Sequence, residues 1–233
     1  MRFAAFFFLL VGLLVQLGQG LGSPLRWALI WPALSFTLVG SAYLVGVGAV
    51  FRKRETGRVP LWSQLLHAPY LLLTLGVWIL QQRLSGEDPA NEVAPGVWVG
   101  RRPSPQDLPP GCELVVDLTC EFSVHPGVAR SVDYLALPTL DGTAPSQASL
   151  RRVAELVADS RVVLFNCAAG HGRSATAAAA LLLARGAAST VEEALGLMKA
   201  ARPGIGLNRA QRAALGVFLA EAGPGSGRES HGS

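Results

Sequence analysis

The chain has 233 residues, half of them apolar and only 15% charged, with a formal net charge of +4. Soluble domains carry about 25% charge, so this deficit excludes a chain solvated along its whole length. The cations are unevenly spread: seven Lys or Arg against the single acid Glu55 up to residue 85, then thirteen against fifteen acids. A basic excess among apolar runs fits membrane flanks better than a nucleic-acid surface, and no nucleic-acid partner is expected. Cys112, Cys120 and Cys167 form no CxxC pair and no metal spacing. This argues against a disulfide framework and fits a reducing compartment, with no metal and no cofactor expected. The Ala, Gly, Leu and Arg bias points to a GC-rich bacterial genome, so the expected location is a bacterial inner membrane.

Residues 1–85 read as a membrane region with candidate spans at 3–17, 27–51 and 61–80. The first is apolar apart from Gln16, and its fifteen residues fall short of the ~20 a span needs; it also fits the core of a signal peptide. The second is free of charge and carries Trp27 and Trp31 at one end, where aromatics suit the bilayer interface. The third is uncharged but interrupted by Ser63, Gln64, His67 and Pro69. Two or three spans are expected. Between the second and third runs lies Arg52-Lys53-Arg54-Glu55-Thr56-Gly57-Arg58, which the positive-inside rule assigns to the cytoplasm. A crossing third run would then export everything after it, against the reducing location that the cysteines favour. The expectation is a cytoplasmic C-terminal domain.

Residues 86–95, with Gly86, Pro89 and Pro95, read as a linker. A soluble pattern follows over 96–222. Short apolar runs at 97–99, 114–118, 134–137 and 162–165 predict buried strands. Leu150, Val153, Ala154 and Val157 share one face of a predicted helix over 149–160. Further helices are predicted at 174–185, after a Thr190/Glu193 capping box, and after Asn208 and Gln211 to about Glu221. Alternating strands and helices define an α/β domain with a central, mostly parallel sheet flanked by helices. Residues 223–233 read as a disordered tail.

The chemistry concentrates in Val162-Val163-Leu164-Phe165-Asn166-Cys167-Ala168-Ala169-Gly170-His171-Gly172-Arg173-Ser174. An apolar strand enters a glycine-containing loop, and a helix begins where the loop ends. Amides of such a loop converge on an anion, and the helix N-terminus adds positive potential. Gly170 and Gly172 are expected to supply unusual φ values and close backbone approach. Cys167 sits where that field favours thiolate, and Arg173 offers a planar fork for two phosphate oxygens. Ser174 is placed to cap the helix. Asp141 precedes Gly142, a pairing that also suits a plain turn.

Cys-x5-Arg-Ser after a strand resembles the signature of protein-tyrosine and dual-specificity phosphatases. Val97-Trp98-Val99-Gly100 and Val115-Val116-Asp117-Leu118 resemble their core strands. Pro138-Thr139-Leu140-Asp141-Gly142 falls where that family's general-acid loop lies, and Arg202-Pro203 with Asn208 and Gln211 is similar to its closing segment. The resemblance covers about residues 92–222. It implies Cys167 as nucleophile, Arg173 as phosphate clamp, Asp141 as general acid and base, and Ser174 assisting thiolate departure. Ala168, Ala169, Gly170, His171 and Gly172 would complete the phosphate loop. Asn166 replaces the family's usual His and, being neutral, implies a less depressed thiol. The implied activity is hydrolysis of phosphomonoesters, with phosphorylated protein the first substrate class. A phospholipid headgroup is the alternative, the region being similar to phosphatidylglycerophosphate phosphatases. A catalytically weak, phosphate-binding adaptor is a third reading.

Overall fold

The computed structural model describes residues 2–46, 48–156 and 161–222. The tail expected over 223–233 and Val157 of the amphipathic pattern lie outside the described residues. Two helical runs open the chain, α1 (Arg2–Gln19) and α3 (Ile30–Val45), with the short α2 (Leu25–Ala28) between them. They pack against each other through Phe7 stacked on Phe36 and Phe3 on Tyr43. Leu25–Val45 is the one described segment long and apolar enough to cross a membrane. The expectation of two or three spans is therefore met by a single clear candidate. The run read as 27–51 stops at Gly46, whose left-handed φ of 75° ends the helix before a 3-10 turn at Gly48–Phe51. The run read as 61–80 breaks at His67 into α4 (Leu61–Leu66) and α5 (Ala68–Ser85).

The C-terminal part is a five-stranded sheet in the order β1-β2-β5-β3-β4. Its strands are β1 (Ala90–Ala94), β2 (Val97–Arg101), β3 (Leu114–Thr119), β4 (Asp133–Thr139) and β5 (Val163–Cys167). β1 pairs antiparallel with β2, and the remaining neighbours are parallel. The segment read as a linker over 86–95 thus contains an edge strand. Gly96, at φ 72°, makes the tight return to β2 that the flanking Pro95 and Gly96 conceal in a sequence pattern.

Side chains alternate across the sheet. Val163, Phe165, Leu114 and Val116 face one core with α7 (Gln147–Leu156), α8 (Arg173–Ala184), α9 (Val191–Ala201) and α10 (Arg209–Ala222). Leu164 and Val115 face the other, closed by Val128 of α6 (Val128–Ser131) with Trp98 and Tyr134. α8 is buried from Arg173 to Leu183, and its run of alanines lets it lie close to β5 and β2. Because β2, β3, β4 and β5 are parallel, their C-terminal ends share one edge, the usual place for a ligand site in such sheets. The N-terminal helices pack on that edge: Phe7, Phe36, Phe51 and Tyr70 form one apolar cluster with Cys120 after β3 and Leu140 after β4.

Candidate active site

β5 ends at Cys167, and the chain turns through Ala168–Gly172 before α8 starts at Arg173. The turn holds the thiol inward. Gly170 N–H donates to Cys167 Sγ at 3.2 Å, and Ser174 Oγ lies 3.3 Å from the same sulfur. Gly170 has a φ of 80°, and a Cβ there would stand 2.5 Å from the Gly100 carbonyl carbon, so only glycine fits. Gly172 differs from expectation. Its φ of −115° is open to any residue. What constrains it is close approach, since a Cβ would meet Gln211 Nε2 at 3.0 Å.

Arg173 is 1% exposed. Its two terminal nitrogens grip both oxygens of Glu121 at 2.9 and 2.8 Å, and one also donates to the Thr139 carbonyl at 2.9 Å. Asp141 Oδ1 stands 3.1 Å from the same guanidinium. Burial alone would depress the Arg173 guanidinium, but Glu121 and Asp141 raise it well above its ordinary value. Burial likewise opposes ionisation of Glu121, yet Arg173 holds that carboxyl below its ordinary value. The Nε of Arg173 is buried with no protein partner among the described residues, a donor left for an anion.

Asp141 lies in a turn closed by Thr143 N–H on the Leu140 carbonyl at 3.1 Å, with Gly142 at φ 69°. The turn reading and the position beside Arg173 are both true of it. The start of α10 holds this turn: Asn208 Nδ2 donates to the Gly142 carbonyl and Gln211 Nε2 to that of Thr143. Asn208 and Gln211 also cap each other's backbone N–H, the reciprocal box their spacing suggests.

His171 turns away from the loop's interior, with Nε2 2.6 Å from Glu87 Oε2. Arg202 braces the loop from behind, donating to the carbonyls of Gly170 at 3.1 Å and Ala169 at 3.2 Å. Ala168 contributes its carbonyl to Trp78 Nε1 of α5 at 2.8 Å. A cavity of about 340 Å³ opens between α5 and the loop, lined by Trp78, Gln81, Ala168, Ala169 and His171 among others.

Asn166 donates Nδ2–H to Asp117 Oδ1 at 3.2 Å. Asp117 is paired with Lys53 Nζ at 2.7 Å and accepts the Tyr134 hydroxyl. Glu121, Lys53 and Trp78 are participants that residue patterns leave unmarked. Glu121 has one faint signal, an acid two residues past the end of a wholly buried strand. Lys53 reads as one cation of a basic loop, and Trp78 as one more apolar residue.

A parallel strand, an inward-turned thiol and a buried guanidinium meet at a helix N-terminus of an α/β domain, an arrangement suited to an anion. Residues 107–214 match the family model described as "PTP-SAK: Swiss Army Knife protein, DSP-PTPase phosphatase domain". The domain is therefore a member of the dual-specificity and protein-tyrosine phosphatase superfamily. No curated protein matches the chain. Among solved structures, PTPMT1 in complex with PI(5)P is 23% identical at a TM-score of 0.52, covering 57% of this chain and 96% of that one. A human DUSP28 variant is 22% identical at a TM-score of 0.50, covering 58% and 97%. The human tyrosine phosphatase-like serine/threonine/tyrosine-interacting protein is 20% identical at a TM-score of 0.52, covering 58% and 99%. These likenesses are of fold.

Proposed function

We propose that the protein is a membrane-docked phosphomonoester phosphatase working through a phosphocysteine, and that its substrate is a phosphorylated lipid. The phosphatase part is supported by the loop, which brings a thiol, a hydroxyl and a guanidinium with an unpartnered buried Nε together at the start of α8. In this reading the Cys167 thiolate attacks phosphorus in line. The S–P bond forms as the P–O bond to the leaving alcohol breaks, and Asp141 gives that oxygen its proton. Arg173 and the loop amides hold the equatorial oxygens, and Asp141 leaves the guanidinium when the phosphate arrives. Water, losing its proton to Asp141, then cleaves the S–P bond, and the Ser174 hydroxyl donates to the departing thiolate.

The observation that carries the substrate class is the bond from Trp78 to the Ala168 carbonyl. Trp78 lies on α5, whose outer face exposes Leu72, Leu73, Val77, Leu80 and Leu84. Exposed large apolar side chains are otherwise nearly confined to residues 3–65; only Leu156, Leu197 and Val217 belong to the catalytic domain among the described residues. A surface of that kind belongs against lipid, and it carries the phosphate loop to headgroup depth. The sequence puts phosphorylated protein first; this packing reverses the order.

The same packing bears on topology. Lys53 bonds Asp117, and Val124 N–H donates to the Gly57 carbonyl at 2.8 Å, so the basic loop and the catalytic domain share one side. The positive-inside rule makes that side cytoplasmic. α4 and α5 then lie along the interface without crossing, which removes the conflict between topology and thiol chemistry.

Full-length protein in mixed micelles, given a lipid phosphomonoester and a phosphotyrosine peptide, should favour the lipid at least tenfold in kcat/KM. A preference for the peptide would overturn the substrate class and leave the mechanism standing. Cys167→Ser should abolish turnover of p-nitrophenyl phosphate with the fold intact. Wild-type-like turnover by that variant would sink the mechanism, and inert wild-type protein would favour the adaptor reading.

A further inference from the structure

We propose that Lys53 is a positioning residue for the nucleophile, acting through Asp117 and Asn166 from a segment outside the phosphatase domain. The proposal rests on reading Cys167 as the nucleophile. Lys53 lies in the loop between the apolar helices, yet its side chain is 0% exposed. Its ammonium donates to Asp117 Oδ2 at 2.7 Å, to the Thr119 carbonyl at 2.9 Å and to Thr119 Oγ1 at 2.9 Å, which uses all three N–H groups. Asp117 spends its other oxygen on Thr119 N–H and Oγ1, both at 2.8 Å, and on Asn166 Nδ2. Asp117 and Asn166 stand opposite each other in the parallel register of β3 and β5, and Asn166 directly precedes Cys167.

Burying a lysine and a carboxylate together returns little net stability, because desolvation consumes the attraction. A role beyond stability accounts better for an ammonium so fully enclosed. Asp117 fixes the Asn166 amide from across the sheet, but an unbalanced carboxylate bonded to the residue that precedes Cys167 would oppose thiolate formation. Lys53 cancels that charge while leaving the hydrogen bond in place. The remaining charged groups about the thiol are Arg173 at the loop's end and Arg202 behind the loop, with Glu121 and Asp141 turned onto Arg173. Around Asp117 stand Lys53, Tyr134 and Arg102.

The rate of Cys167 alkylation by iodoacetate against pH, read on the Cys167 peptide by mass spectrometry in full-length micellar protein, tests this without any substrate. Lys53→Met should move the midpoint up by about one pH unit, as expected for one uncompensated charge nearby. Asp117→Asn should move it down, because the ammonium remains and the carboxylate is gone. The double variant should return close to wild type. A merely structural role would shift both single variants the same way or leave all four curves superimposed, and either outcome overturns the proposal. Should Lys53→Met fail to fold, Asp117→Asn still decides: a midpoint at or above wild type refutes the inference. The curves report on the thiol alone, so opposite shifts in a protein without phosphatase turnover would refute the proposed function and leave the Lys53 linkage standing.

Discussion

Arg173 stays charged in a nearly closed site because Glu121 meets it with two parallel hydrogen bonds, the fork geometry a guanidinium offers and an ammonium lacks. Arg173→Lys would keep the charge, lose one arm to Glu121 and lose the free Nε. A fall of more than tenfold in kcat/KM is expected, about 1.4 kcal/mol of transition-state stabilisation, measured on p-nitrophenyl phosphate. A smaller loss would mean that charge alone suffices and that the planar fork is not the clamp. Cys167, Gly170 and Arg173 are legible in sequence because their spacing lies within one short loop. Glu121 and Lys53 are not, since their partners lie 52 and 64 residues away and no local period connects them.

The strands of the catalytic domain are read well from apolar runs because each is buried on both faces. β1 is missed because it is a short edge strand between Pro89 and Pro95, carrying Asn91 and Glu92. The apolar runs before residue 86 mislead in another way: hydropathy records how much a helix avoids water, not whether lipid or protein takes water's place. α5 has protein along one side, through Tyr70 near Cys120 and Trp78 tilted against Phe122 at 6.4 Å between ring centroids. Trp78→Phe keeps the ring and removes the N–H that anchors α5 to Ala168. The loss of one hydrogen bond of about 1 kcal/mol should lower kcat/KM roughly fivefold, with unchanged circular dichroism. Unaltered kinetics would show that α5 only rests on the loop.

Across the whole molecule, two buried carboxyls tie distant parts together, and both are held below their ordinary values. Burial would raise Asp117 from 3.8, but Lys53 and the hydroxyl of Tyr134 bring it lower; Glu121 falls from 4.5 through Arg173. Stability from such groups is complete above their unfolded values and drains away as pH falls toward the depressed folded ones. The urea midpoint of micellar full-length protein should therefore drop between about pH 5 and 3, and the drop should be shallower in Asp117→Asn. An identical slope in that variant would show that Asp117 is not part of the linkage. The indole bond from Trp78 to Ala168 spans 90 residues, and it joins the apolar helices to the loop after β5. Contacts that close loops of this length form late in folding. On a ribosome α5 is made before β5 and α8 emerge, so the loop after Cys167 takes its final shape against an element synthesised before it. On the membrane-docked phosphatase proposed above, catalytic competence would thereby report on completed membrane insertion.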